Sequence, residues 1–141
     1  MDMERAVVVA DTGFVVALLN RSDIKHTDVA TIYQQQQRIL LPQTVLAEVA
    51  YLLGRDAGIM TVVAFVRGIA ASRFNLVGLT DADLERVAEI LEKYADSRID
   101  FVDARVMAVA ERYGSKTILT LDQRDFKLFR PKHCERFELL P

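Results

Sequence analysis

The sequence predicts an α/β fold, a parallel sheet with helices on both faces. Three observations carry that prediction. Short apolar runs alternate with segments of helical period along the chain, the pattern of parallel strands joined by helical crossovers. Tight hairpin signals between the apolar runs are absent. The first run, Ala6-Val7-Val8-Val9-Ala10, has no polar side, as in a strand buried on both faces.

That strand, at 6–10, stops abruptly at Asp11. A helix covers 12–20, and Arg21-Ser22-Asp23 breaks it. A second helix covers 25–37, polar on much of its surface, with Val29, Ile32 and Tyr33 facing inward. The second strand is 38–41. Pro42 suits the first turn of the next helix, where its missing N–H has no helical partner to lose. That helix carries Val45, Leu46, Val49, Leu52 and Leu53 on one stripe and ends between Gly54 and Gly58. Residues 59–71 read as a helix apolar nearly all round, through Ile59, Met60, Val62, Val63, Phe65, Val66 and Ile69. Such a helix is either buried between others or packed on another chain. The third strand is 74–79. Thr80-Asp81-Ala82-Asp83 has the form of a capping box with Asp in the place of Glu, and opens a helix through Leu84, Val87, Ile90, Leu91 and Tyr94. A further helix spans about 100–113 and is closed by Gly114. The fourth strand is 117–120, followed by a loop with a short helix over 122–129 and a last strand over 137–140.

With 141 residues, the chain reads as one domain over 1–141, able to bury about two-thirds of its surface without staples. The start, Met1-Asp2-Met3-Glu4-Arg5, has no signal-peptide pattern, and no apolar run approaches the roughly 18 residues of a membrane span. Cys134 is the only cysteine, so no internal disulfide forms and the expected compartment is the cytoplasm. A net charge of −2 argues against sequence-independent coating of nucleic acid but leaves room for a local basic patch. His26, His133 and Cys134 lack the spacing of a zinc site. Phosphate-cradling glycine motifs and a nucleophile elbow are absent.

The acids are more informative. Asp11 ends the first strand, where open α/β sheets bind ligands; it also suits a helix N-cap. Ile118-Leu119-Thr120-Leu121-Asp122 repeats the pattern of an apolar strand with an acid just past its end. Asp103 falls on the apolar stripe of its helix with Val106, Met107 and Ala110, an expensive place for a charge without a partner. Glu48 lies at the flank of its helix's stripe. If these four converge, their charges repel and need a neutralising partner. Carboxylates alone suit a hard cation, Mg²⁺ or Mn²⁺.

Asp11-Thr12 after a valine-rich strand, Leu46-Ala47-Glu48-Val49, Phe101-Val102-Asp103-Ala104 with Ala108 and Ala110 following, and Thr120-Leu121-Asp122 followed by Asp125-Phe126 together resemble the PIN-domain family. In length and layout they are most similar to its VapC-like toxins from toxin–antitoxin systems. The resemblance implies a PIN-like three-layer α/β/α fold with a parallel sheet of about five strands in the order 3-2-1-4-5. It implies a Mg²⁺- or Mn²⁺-dependent endoribonuclease that hydrolyses RNA with a metal-activated water. Asp11, Glu48, Asp103 and Asp122 would be the catalytic and metal residues at the carboxyl edge, the first three direct ligands and the last an outer one. Thr12 and Thr120 match supporting hydroxyls, and Asp125 is an extra acid. The helix at 81–94 would lie across the sheet so that the next can start at that edge. The family further implies a homodimer and a small antitoxin partner.

Arg124 and Lys127, with Arg130 and Lys132, cluster after Asp122 as candidate RNA-phosphate contacts; Arg21 and Lys25 follow the first helix in the same way. Two alternatives stand beside the ribonuclease. One is a PIN nuclease acting on DNA or in RNA processing. The other is a non-catalytic flavodoxin-like signalling or binding domain, which shares the Val-Val-Ala-Asp opening. A receiver of that class needs an acid pair after the first strand and an acceptor Asp after the third, and Val77-Gly78-Leu79-Thr80 offers none.

Overall fold

The structure, a computed structural model, describes residues 7–141; the expected strand start at Ala6 lies outside them. The described residues form five strands, β1 (Val8–Ala10), β2 (Ile39–Pro42), β3 (Phe74–Val77), β4 (Thr117–Leu119) and β5 (Glu138–Leu140). All pair in parallel, in the expected order β3-β2-β1-β4-β5. Val8 stands opposite both Ile39 and Thr117, so β1 is the centre of the sheet. Its three residues, like those of β2 and β4, are all buried, which is why the sequence there shows no alternation.

Helices α1 (Thr12–Leu19), α2 (His26–Gln35), α3 (Gln43–Ala57) and α4 (Ile59–Gly68) pack on one another, and α5 (Asp81–Lys93) packs on α6 (Phe101–Arg112). Right-handed crossovers put the two groups on opposite faces of the sheet. A short α7 (Arg124–Leu128) joins β4 to β5. The core between the layers includes Phe14, Val45, Val49 and Leu53 on one side, and Ile90, Val106, Met107 and Val109 on the other.

Three expectations need correction. Pro42 is the last residue of β2 and precedes α3; its fixed φ suits the turn from strand to helix as well as a first helical turn. The run at 59–71 is α4 followed by a 3-10 turn at Ile69–Ala71. Within α4 only Phe65 is buried, whereas Ile59, Met60 and Val66 are more than half exposed. The helix packs by one side on α3 and leaves the other uncovered, so burial between helices is excluded.

The capping box forms: Thr80 Oγ1 accepts from the Asp83 amide at 3.1 Å, and the Thr80 amide donates to Asp83 Oδ2 at 3.2 Å. From this start α5 runs antiparallel to α6. Arg86 pairs with Glu111 near the end of α6, while Tyr94, just past α5, accepts from the Arg130 amide beyond α7. The chain is thereby carried back to the sheet edge where α6 begins.

Candidate active site

In a parallel sheet every strand ends on the same edge, and here that edge collects the acids. Asp11 follows β1. Its amide donates to Leu119 O at 2.9 Å, locking it to β4. Although Asp11 occupies the N-cap position of α1, its carboxylate makes no capping hydrogen bond. Instead Thr120 Oγ1 donates to Asp11 Oδ2 at 3.1 Å. The same hydroxyl accepts from the Asp122 amide at 3.1 Å and lies 2.9 Å from Asp122 O. Thr120 therefore ties the ends of β1 and β4 together. Asp11 Oδ1 and Thr12 Oγ1 are buried without partners, although Asp11 and Thr12 are each only 5% exposed. A buried polar atom left unpaired costs on the order of 1–3 kcal/mol, so these atoms mark a position suited to a ligand.

Glu48 sits in the second turn of α3, and Asp103 in the first turn of α6. Both are half-buried. Burial chiefly raises the Asp11 carboxyl from 3.8 to about 6; hydrogen bonds from the Thr12 amide and Thr120 hold it down, and the charges of Glu48 and Asp100 raise it. Asp103 is pushed further, from 3.8 to about 8, first by burial, then by the charges of Asp11, Asp100, Asp125 and Asp122. Asp125 is raised too, mainly by burial, with Arg124 opposing. The charges of Glu48, Asp100, Asp122 and Asp125 thus each act on Asp11 or on Asp103.

Asp100 is the acid that sequence reasoning left out. It is the N-cap of α6, its Oδ1 accepting from the Asp103 amide at 2.8 Å, and its charge also reaches Asp11 and Asp103. The Asp100-x-x-Asp103 spacing is the only signal of it in the sequence, and a helix N-cap accounts for that spacing without any site. Asp122 is exposed at the rim. Asp125 is 8% exposed and pairs with Arg124 at 2.8 Å.

The basic candidates divide. Arg124 stands at the acids, and Lys127 one turn further along α7. Arg130 is turned onto the carbonyls of Lys127 and Leu128, and Lys132 lies 3.7 Å from Glu89. Arg21 rims a separate cavity against α3 and α4, and Lys25 is exposed just ahead of α2.

Among the described residues, no three acidic, histidine or cysteine side chains already stand close enough to hold a metal ion. The donor set nevertheless fits a hard cation. It is all oxygen, Asp11 Oδ1 has no partner, and burial together with the neighbouring carboxylates holds the Asp11 and Asp103 carboxyls above their ordinary range. A divalent ion answers all three conditions.

The PIN domain family model matches residues 8–130. Ribonuclease VapC26 of Mycobacterium tuberculosis is 32% identical to this chain over 95% of its length and 100% of the relative's. The chain belongs to the PIN-domain family. Solved PIN-like structures share its fold. Mycobacterium tuberculosis VapC20, a sarcin-ricin loop cleaving toxin, superposes with a TM-score of 0.76 at 24% identity, covering 82% of this chain and 90% of that one. The Rickettsia felis VapBC2 complex, bound to a DNA fragment from its promoter, gives a TM-score of 0.71 at 14% identity, over 96% of this chain and 99% of that one. Beyond Asp11, Glu48, Asp103, Asp122 and the extra acid Asp125 expected from the sequence of this PIN domain, the structure adds Asp100, whose charge acts on Asp11 and Asp103.

Proposed function

We propose that the chain is a metal-dependent endoribonuclease and the toxin of a toxin–antitoxin pair. The observation that carries this reading is the unneutralised acid cluster at the carboxyl edge, in a chain 32% identical to a ribonuclease. Asp11, Glu48 and Asp103 are assigned as direct ligands of Mg²⁺ or Mn²⁺, and Asp122 as an outer one. A cation bound there supplies Lewis acidity toward a phosphoryl oxygen and acidifies a water for hydrolysis of the P–O bond.

The protein's part is positioning. The strand ends are rigid, and Thr120 fixes the rotation of the Asp11 carboxylate through Oδ2, leaving Oδ1 for the ion. The Asp100 cap fixes the first turn of α6 and so the direction of Asp103. Asp125, held by Arg124, adds a further carboxylate whose charge acts on Asp103. Arg124, exposed beyond this pair, meets an RNA phosphate.

The uncovered apolar side of α4, through Ile59, Met60 and Val66, is assigned to contact with a second chain, either a homodimer partner or an antitoxin. Toxin–antitoxin complexes among the structural relatives, such as that from Klebsiella pneumoniae, support an antitoxin. The test is cleavage of total RNA with Mg²⁺ or Mn²⁺, comparing wild type with Asp11→Asn. Cleavage that needs the ion and disappears in the variant is expected; equal activity in both sinks the reading.

A further inference from the structure

We infer that a cavity beside α7 holds one nucleotide of the RNA strand, its base inside and its phosphates on Lys127 and Arg136. This rests on the ribonuclease reading and adds a substrate subsite to it. The cavity measures about 290 Å³ and is lined by Gln123, Phe126, Lys127, Arg136, Phe137 and Leu139. The cavity runs along β5, from Arg136 just before that strand to Gln123, which directly follows the rim acid Asp122 in the chain.

Among the described residues, the two cations at the cavity rim are uncommitted, as are Arg21, Lys25, Arg67, Arg98 and Lys116, while others of the protein are paired. Arg86 is committed to Glu111 and Glu89, Arg105 and Arg112 to Asp83, Arg124 to Asp125, and Lys132 to Glu89. Among the described residues, Lys127 and Arg136 have no carboxylate within salt-bridge distance, and their side chains make no hydrogen bond. These two free cations share the rim of one cavity. A polyanion approaching a cluster of acids needs positive charge nearby, and an unpaired cation gives up no existing partner to supply it.

The lining suits a base. Phe126, Phe137 and Leu139 form an apolar floor. Gln123 Nε2 donates to Pro141 O at 2.9 Å, which fixes the amide and leaves its oxygen available to accept from a base edge. Ligand pockets for larger molecules begin at about 300 Å³, so this one takes a single planar group rather than a peptide helix. Apolar contact to one face and cations on the backbone are the usual ingredients of single-strand recognition.

Two measurements test the subsite. The first scans an abasic position along a short single-stranded RNA cleaved by the wild-type protein. One position near the cut should lower kcat/KM about tenfold or more, with its neighbours little affected. The second measures RNA affinity against salt in the Asp11→Asn background, with and without Lys127→Gln and Arg136→Gln together. Loss of two phosphate contacts should reduce the slope of log K on log salt by about 1.4, with an unchanged melting temperature because both residues are exposed. A flat abasic profile, or an unchanged slope, overturns the subsite while metal-dependent cleavage leaves the ribonuclease reading standing. RNA that the wild-type protein neither binds nor cleaves brings down both.

Discussion

Replacing Asp11 by Asn should stabilise the metal-free protein, in the same stroke that removes its proposed activity. Asp11 is 5% exposed and its carboxyl is raised from 3.8 to about 6, chiefly by burial. An acid that holds its proton more tightly when folded stabilises the fold while protonated. That contribution is complete below about pH 3.8 and is lost as pH rises through about 6. At 1.36 kcal/mol per unit, the shift of about two units amounts to about 3 kcal/mol, nearly all of it lost by pH 7. Asn carries no charge to bury, and it can still accept from Thr120 with its amide oxygen. Asp103 benefits too, because Asp11 is the first of the charges acting on it. The expected gap between variant and wild type at pH 8 is therefore about 2–3 kcal/mol in favour of Asp11→Asn, on the order of 6–10 °C in a chain of this size. It should shrink to a few tenths of a kcal/mol near pH 4. Thermal or urea unfolding followed by circular dichroism, with chelator present, from pH 4 to pH 8, measures it. A gap independent of pH, or a variant less stable than wild type at pH 8, refutes the argument that burial of this charge is what raises its pKa. Adding Mn²⁺ should reverse the order by stabilising wild type alone.

Two further outcomes follow from the same geometry. With the Asp103 carboxyl pushed up to about 8, Mn²⁺ binding at pH 7 should release close to one proton; calorimetry in two buffers of different ionisation enthalpy reads it, and zero release contradicts the shift. Arg105 is fully buried, with its Nη2 donating to Val77 O at 3.2 Å and to Gly78 O at 2.7 Å, and lying 3.4 Å from Asp83 Oδ2. Arg105→Met should cost about 3–5 kcal/mol in urea unfolding, since it strips a buried carboxylate of a partner; a loss below about 1 kcal/mol would show that Arg112 suffices.

What the sequence made legible follows one rule. Features set by local pattern were readable, and features set by where a side chain finally goes were not. β1 and β4 announce themselves because a strand buried on both faces must be apolar throughout. Asp103 stood out because it falls on the apolar stripe of its helix with Val106, Met107 and Ala110, and the structure buries all of residues 104–110. Asp100 escaped because a capping Asp looks the same whether or not its charge also enters a site. The α4 run escaped for a different reason. Apolar content says that a face wants cover, and the fold decides that α3 covers one side only. Arg124, Lys127, Arg130 and Lys132 look alike in sequence, yet one meets an acid of the site, one stays free, one turns to backbone carbonyls and one to Glu89. Only the packing of α7 against its neighbours separates them.

That sorting of cations bears on why the acids should take a metal rather than an internal partner. The chain has 18 Lys and Arg residues, and one of them, Arg105, lies only two positions beyond Asp103. Two residues along a helix is about 200° of rotation, so Arg105 leaves from the opposite side and is spent on Asp83 and the end of β3. Arg124 comes nearest, and its charge goes to Asp125. Asp11 and Asp103 are left with a raised pKa each, an unpartnered oxygen on Asp11, and no salt bridge to a cation among the described residues. A fold selected for stability alone would have turned Arg105 toward Asp103 or replaced Asp11 with an uncharged residue. Local conflicts of this kind, held in place by rigid surroundings, are where function is expected. Here the surroundings are the Thr120 staple between two strands and the Asp100 cap on α6. They hold the end of β1 and the first turn of α6 in fixed positions, which is the positioning that the proposed cation would require.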